Sequence, residues 1–590
     1  MMRQKLRAAA CLATLATICS LVAAQTAPAS DATPPSQSPA QPDLQAAPEN
    51  LAPAALAPPS QSTPTQSIPD LPPASLPTQI AALLDDPAVS HDHWGIMVTS
   101  LDGALIYGLN QTQLFQPASV TKLFTTAAAL ALLGPDATFT TRVIALGTIA
   151  KGRLHGNLVL KGDGDANLSA RQLPYTPLSG NARLDSPPPN PLHFIDDLAD
   201  QIASSGLKAI DGSILGDDTL FSWEPYPEDW AIDDAVWGYG APVSALSIND
   251  NQIKLTIAPG ILPPVVSAHQ IGNTPAVVTL NPDLPYYAIQ NDAVTLDPKS
   301  KWSIGIDREP GSHTIRIYGT IAADAAPDVE EVAIDDPAAY ASLSLKQALV
   351  ARGIAVLGDA HAWHRVPSDT IGFLAEVQSG IPYLEMSGGG KLMPCLRCGQ
   401  SFGPGPVLAK HVSVPLQEDI VVTNKVSQNL HAESLLHQLA VSYGDTLNNG
   451  STAEGARVVR QFLINAGLDP NDFVFYDGSG LSSHDLVTPR AVAKLLQFAT
   501  TQPWFADWKA SLPVGGVDGT LADRFTQPPL KGHVFAKTGT LGEARSLAGY
   551  LDAASGRTVI FSILVDNHLP GTTADRDAMD KIVAAIQAAE

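Results

Sequence analysis

The apolar strand signals of this chain lie near its two ends, and that placement constrains the fold more than any other feature. HWGIMVTSLDGALIYGLN, residues 93–110, reads as two strands around an Asp102-Gly103 turn, a strong hairpin signal. SLAGYLDAASGRTVIFSILVDN, residues 546–567, reads as strand, turn, strand, and DRDAMDKIVAAIQAAE closes the chain as a helix. Between them, QPASVTKLFTTAAALALLG predicts a helix over Ala118–Leu133, with Pro117 near its start and Gly134 as its stop. NLHAESLLHQLAVSYG and TAEGARVVRQFLINAG repeat apolar residues at three- and four-residue steps, the pattern of amphipathic helices. Strands at both ends with helices between them predict an α+β domain whose terminal parts pair in one sheet.

The stretch 141–409 has a different texture. It is rich in Asp, Pro and Gly, with short alternating strands such as NQIKLTIAP and HTIRIYGTIA. The expected organisation is a sheet-forming domain made of 77–140 and 410–590, interrupted by a mainly β insert of more than one unit.

Residues 1–24 have the anatomy of a secretory signal peptide: a basic start (Arg3, Lys5, Arg7), a short apolar run, and small residues up to Ala24. The competing reading, an uncleaved anchor, is disfavoured because a membrane span needs about 20 apolar residues. From Gln25 to Pro77, 14 of 53 residues are proline and most of the rest are Ala, Ser, Gln and Thr, so 25–76 reads as an extended linker with little to bury. Ordered structure is expected to begin at Leu76-Pro77-Thr78, with a short helix over TQIAALLDD. The expectation is an exported protein, in the periplasm or at the cell wall, without an integral membrane span after cleavage. The formal net charge of −23 makes the chain a poor partner for phosphates, which excludes nucleic acid, and no polybasic membrane patch appears. Four cysteines, at 11, 19, 395 and 398, are too few for a disulfide-rich scaffold.

Three short motifs carry the chemistry. Ser119-Val120-Thr121-Lys122 sets a hydroxyl and an amine three residues apart, on one helical face. Serine becomes a nucleophile when a neighbouring base takes its proton, and lysine is such a base when burial or nearby cations lower its pKa. Alone the pattern is weak: Ser205-Gly206-Leu207-Lys208 shows the same spacing, with a Gly that marks a helix end. Ser427-Gln428-Asn429 opens a predicted helix, and Lys537-Thr538-Gly539-Thr540 precedes and enters a predicted strand. Ser-x-Asn recurs at Ser179 and Ser247, whereas Lys-Thr-Gly occurs once. The three in this order are the signature of serine acyl-transfer enzymes of the β-lactamase and penicillin-binding type.

Acyl transfer assigns the roles. Ser119 Oγ attacks a carbonyl, Lys122 takes its proton, and backbone N–H groups of Ser119 and Thr540 form the oxyanion hole. Ser427 relays a proton to the leaving amine, while Asn429 holds Lys122 and the substrate amide. Lys537 adds positive potential that depresses neighbouring pKa values. With Thr538, Gly539 and Thr540 it forms a cradle for a substrate carboxylate.

The chain resembles the class C low-molecular-mass penicillin-binding proteins, the D-alanyl-D-alanine carboxypeptidase/endopeptidase family. QPASVTKLFTTAAAL, LVLKGDGDANLS, YGAPVSALSINDNQIKL, NKVSQNLHAESLL, YDGSGLSSHDLVTP and GTLADRF…FAKTGTLGEARSLAGY are similar to segments of that family, in order, across most of 80–590. The resemblance implies a β-lactamase/transpeptidase-like fold, with a central antiparallel sheet flanked by helices and a large insert between the first and second motifs. It implies peptidoglycan stem peptides as substrate, β-lactam antibiotics as covalent inhibitors, and no metal or organic cofactor. It leaves oligomeric state open, along with the choice between trimming a terminal D-Ala and cutting cross-links. The stretch around Cys395 and Cys398 is longer than the family's usual pattern. An exported setting favours a disulfide there over half of a metal site.

Two other functions compete with this one. A serine β-lactamase needs a deacylating Glu after the second motif, and Glu454 stands at about that distance but within a predicted helix. A non-catalytic peptidoglycan-binding scaffold would have lost one of the motif residues, and all are intact. His91-Asp92-His93 reads as a solvated loop, and Asp477-Gly478-Ser479-Gly480 as a turn that the resemblance puts near the cleft. No G-x-S-x-G elbow or G-x-G-x-x-G loop is present.

Overall fold

The computed structural model describes residues 75–168, 171, 173–178, 181–185, 190–262, 274–367, 371–381, 405–444 and 450–590. The signal-peptide and linker expectations lie outside the described residues, except that Leu76, counted with the linker, already opens the helix Leu76–Leu84.

The two ends of the chain meet in one five-stranded antiparallel sheet, ordered Leu105–Leu109, His93–Ser100, Thr558–Asp566, Ala544–Asp552, Val534–Leu541. Successive side chains of a strand point to opposite faces, and here both faces are covered. Val559, Phe561, Ile563 and Val565 join a cluster with Met579, Ile582 and Ile586 of the C-terminal helix Ala574–Ala589. Ile560 and Leu564, between them, pack with the helices on the other side. That double burial explains why TVIFSILVD is a continuous apolar run instead of an alternating one.

The helix Thr121–Leu132 runs through the second layer and is buried on every side. Its Phe124 packs with Phe475, and the surrounding elements supply the aliphatic side chains of Leu416, Ile420, Leu435 and Val459 to the same core. Each such buried apolar side chain contributes about 1.5–3 kcal/mol of transfer free energy. Gly134 (φ 88°) terminates the helix in the left-handed region, as its place in the sequence predicts. The start differs from expectation. Ala118–Val120 form a 3-10 turn and the α-helix begins at Thr121. Pro117 cannot donate a backbone hydrogen bond, its carbonyl accepts from Ser546 Oγ at 2.6 Å, and Ala118 is held at φ 46°.

Within the compositionally distinct stretch, the strand Thr140–Ala150 pairs with both Arg153–Lys161 and Val407–Val412, near where the chain enters and leaves it. A second sheet joins Val277–Asn281, Gln252–Ala258 and Asp328–Ala333, and a third joins Ala288–Leu296, Thr314–Ala322 and Ser303–Asp307. The pair Ala288–Leu296 and Thr314–Ala322 is parallel. Helices accompany the strands. His193–Ser204 buries Ile195, Leu198, Ala199 and Ile202, and Pro337–Ala351 is capped by Asp336, whose side chain accepts from Ala339 N–H at 2.9 Å. Most of the buried apolar residues between Val143 and Ala409 share one core, while Phe221, Val243 and Ala245 form a smaller one.

Candidate active site

Ser119 sits at the crossing of three elements: its own 3-10 turn, the edge strand Val534–Leu541, and the turn 477–480. The strand passes so close that a Cβ at Gly539 would lie 2.2 Å from Ser546 Oγ, 2.7 Å from the Pro117 carbonyl oxygen and 2.9 Å from the Ser119 nitrogen. Only a glycine permits that approach. From the other side, a Cβ at Gly480 (φ 79°) would lie 1.8 Å from the Ala118 carbonyl oxygen. The turn that carries Ser119 is thus clamped between two glycines from distant parts of the chain.

Lys122 Nζ donates to Ser119 Oγ at 2.9 Å, to Asn429 Oδ1 at 2.6 Å and to the Ser479 carbonyl at 2.7 Å. Its side chain is fully buried. Burial lowers its pKa to about 8, against the opposing charges of Asp477, Glu433 and Asp485.

The second and third motifs face each other. Ser427 lies between the helices Leu416–Lys425 and Asn429–Tyr443, in left-handed backbone at φ 67°. Its Oγ accepts from Lys537 Nζ at 2.8 Å, and Lys537 Nζ also donates to the Thr538 carbonyl at 2.8 Å. Asn429 Nδ2 donates to the carbonyl of Tyr239, from the inserted stretch, at 2.8 Å. The third motif lies inside its strand instead of ahead of it, because the edge strand begins at Val534. Thr538 Oγ1 donates to Thr520 Oγ1 at 2.7 Å. Ser119, Ser427, Thr538, Gly539 and Thr540 line one cavity of about 640 Å³. The structure therefore brings together all the expected motif residues.

Burial is the first cause of the depressed pKa at both lysines, and the charge of Lys122 lowers Lys537 further, as repulsion between like charges requires. A carboxylate arriving at Thr538 and Thr540 would favour the charged form of Lys537 again.

Sequence reasoning missed the support beneath Lys122. Asp477 accepts from the backbone N–H groups of Ser479, Gly480, Leu481 and Ser482 at 2.6–3.1 Å, and from Trp230 Nε1 at 2.9 Å. Both Glu433 carboxyl oxygens take the Gly478 N–H, at 3.0 and 3.1 Å. Burial, reinforced by the charge of Asp477, raises the Glu433 pKa to about 8, and the same two causes raise that of Asp485 well above the usual carboxylate range. Asp485 accepts from Thr121 Oγ1 at 3.0 Å. The D-G-S-G turn was the only sequence signal for this layer.

Cys395 and Cys398 lie outside the described residues. His93 is part of a strand, and its ring stacks on Phe115 with centroids 4.6 Å apart. Glu454 is buried in the helix Thr452–Asn465, 3.1 Å from Arg457 Nη1. Among the described residues, no helix is long and apolar enough to cross a membrane.

Comparison with known proteins gives concordant results. The D-Ala-D-Ala carboxypeptidase 3 (S13) family profile matches residues 76–380 and 387–589. The chain is 33% identical over 507 residues to the D-alanyl-D-alanine carboxypeptidase of Actinomadura sp. (strain R39), covering 85% of this chain and 82% of that one. It is 25% identical over 490 residues to the D-alanyl-D-alanine carboxypeptidase DacB of Haemophilus influenzae, covering 82% and 86%. The crystal structure of penicillin binding protein 4 from Haemophilus influenzae superposes with a TM-score of 0.67 at 22% identity, over 85% of this chain and 97% of that one. A structure of that protein complexed with a β-lactam gives 0.64 at 20% identity, over 86% and 97%. The structural likenesses show the fold of penicillin binding protein 4.

Proposed function

This chain belongs to the D-Ala-D-Ala carboxypeptidase 3 (S13) family and is a serine D,D-peptidase of peptidoglycan, and from that premise we propose that its acyl-enzyme forms on Ser119. The observation that carries this reading is the contact of the fully buried Lys122, through Nζ, with Ser119 Oγ at 2.9 Å on the wall of the cavity. A neutral Lys122 amine accepts the Ser119 proton as Oγ bonds to the carbonyl carbon of the scissile D-Ala-D-Ala bond. The Ser119 and Thr540 N–H groups hold the oxyanion. The C–N bond then breaks, and Ser427, which Lys537 holds, passes a proton to the leaving amine. Thr538, Gly539 and Thr540 receive the substrate carboxylate, and Asn429 the substrate amide. Water hydrolyses the ester and restores Ser119.

The same geometry supports covalent inhibition, since a β-lactam acylates through the same attack and its amine stays tethered. The β-lactamase alternative lacks support: Glu454, the candidate deacylating base, is buried beside Arg457. A non-catalytic scaffold accords poorly with a complete set of hydrogen-bonded motif residues. Residues 77–140 and 410–590 are assigned to the catalytic domain and 141–409 to the insert; the five-stranded sheet supports the first, while the strand Val407–Val412, paired with Thr140–Ala150, runs across the second boundary. The basic, then apolar, then small-residue order of 1–24 supports export to the periplasm or wall. The Cys395–Cys398 disulfide is proposed on the same ground.

Mass spectrometry of the mature protein after exposure to benzylpenicillin tests the assignment. An adduct on the peptide containing Ser119, absent in Ser119→Ala, with D-Ala released from a pentapeptide by the wild type alone, is the expected result. Unmodified protein and intact penicillin would overturn it.

A further inference from the structure

Beyond the motifs, one run of left-handed, non-glycine backbone faces the second motif from the inserted stretch. Asn249, Asp250 and Asn251 have φ values of 49°, 53° and 54°, a conformation that L-residues keep in succession only when their surroundings impose it. Both asparagines impose it here. Asn251 Oδ1 accepts from Ile248 N–H at 2.9 Å and its Nδ2 donates to the Pro242 carbonyl at 2.8 Å; Asn249 Nδ2 donates to the Gln252 carbonyl at 2.6 Å.

The product of this turn is the placement of one buried carboxylate. Asp250 is 3% exposed. Its Oδ2 accepts from Gln428 Nε2 at 3.0 Å and pairs with Arg171, and its Oδ1 lies 3.4 Å from His431 Nε2. Gln428 is the middle residue of Ser427-Gln428-Asn429, and its Oε1 caps the following helix by accepting from Leu430 N–H at 3.1 Å. His431 is fully buried, and its Nδ1 lies 2.7 Å from Asp419 Oδ1 on the preceding helix. Asp250 therefore holds a residue on each side of Asn429, next to the left-handed Ser427.

We propose that Asp250 is a positioning residue for acylation: through Gln428 and His431 it fixes the turn that presents Ser427 and Asn429. The inserted stretch is then a working part of the catalytic centre. This rests on the reading above, that Ser427 and Asn429 act in acylation. The chemistry requires a carboxylate. An ionised Asp is acceptor-only and meets donors from two directions, whereas an amide of the same shape would turn an N–H₂ toward one of them and displace the turn.

The test uses the full mature protein with Asp250→Asn, Gln428→Met and the double variant. For each, the rate of acylation by benzylpenicillin, kcat and KM on a D-Ala-D-Ala peptide, and the thermal midpoint are measured. Activities are expressed per folded molecule. The expected result is that Asp250→Asn lowers the acylation rate and kcat roughly 10- to 100-fold with KM nearly unchanged, as misplacement of supporting groups does. Gln428→Met should act in the same direction, and the double variant should be no worse than the more impaired single, because both break one contact. Unchanged acylation in Asp250→Asn, or losses that multiply in the double variant, would overturn the proposal, as would a lower midpoint with full activity per folded molecule. If Asp250→Asn does not fold, Gln428→Met decides: wild-type acylation by that variant overturns it. Failure of wild type itself to be acylated on Ser119 would instead sink the reading on which the inference rests.

Discussion

The carbonyl oxygen of Ser479 accepts a hydrogen bond from Lys122 Nζ at 2.7 Å, across 357 residues of sequence. Together with Ser119 Oγ and Asn429 Oδ1 it fixes the amine on three sides. A neutral amine held by its two N–H bonds to Asn429 and Ser479 turns its lone pair toward Ser119 Oγ, the arrangement that the proposed acylation requires.

That contact depends on Gly480 fitting against Ala118. Gly480→Ala would add a Cβ 1.8 Å from the Ala118 carbonyl oxygen, at a φ of 79° that disfavours any side chain. Backbone on both sides must move. Acylation by benzylpenicillin should fall at least about 100-fold, because displacement by about 1 Å costs that much. The thermal midpoint should fall as well. A variant that acylates at the wild-type rate would show that the turn does not set the position of Lys122.

The pH dependence of acylation should follow Lys122. Its pKa is lowered to about 8, with burial the leading cause, and in the proposed acylation the neutral amine is the base. The acylation rate should therefore rise with pH and level off above about 8. Lys122→Arg keeps a cation that does not deprotonate, and should lose roughly 10²- to 10⁴-fold in rate. Stopped-flow acylation measured from mildly acidic to mildly alkaline pH checks both.

Glu433 links stability to pH in the opposite sense to an ordinary carboxylate. Its pKa rises from 4.5 to about 8 in the folded protein, through burial and the charge of Asp477. A raised folded pKa gives stability that is fully present below 4.5 and is lost as pH rises through about 8. Glu433→Gln should remove that slope, so its stability relative to wild type increases across that window in urea unfolding. Because the Glu433 charge supports protonated Lys122, the same variant should also shift the acylation profile to lower pH.

Asp518 anchors the loop under the carboxylate cradle. Lys425 Nζ donates to both Asp518 carboxylate oxygens at 2.8 Å, and its side chain is 7% exposed. Asp518→Ala strands a buried ammonium, and removal of one partner of such a pair costs about 3–5 kcal/mol. Thr520, two residues on, accepts from Thr538. Denaturant unfolding should show the loss of stability, and KM for the peptide should rise with it.

What was local, or carried by residue type, was legible in the order of amino acids. The apolar runs at 93–110 and 546–567 required a sheet built from both ends, and Gly134 required a helix stop. The three motifs picked out Ser119, Lys122, Ser427, Asn429 and Lys537, which the fold does bring together, because such chemistry is written in side chains at short spacing. Where those residues act was left to long-range packing. Nothing near Ser119 foretells that Pro117 is held by Ser546 and that Ala118 is forced to φ 46°, so the sequence predicts a regular helix where a 3-10 turn stands. Nor can the leading part of burial in lowering the pKa of Lys122 and Lys537 be read from spacing, since burial is a property of the packed interior. The carbonyls of Ser479 and Tyr239, which hold Lys122 and Asn429, carry no sequence signature at all. Every residue has a backbone carbonyl, and only the fold selects which of them meets a given side chain.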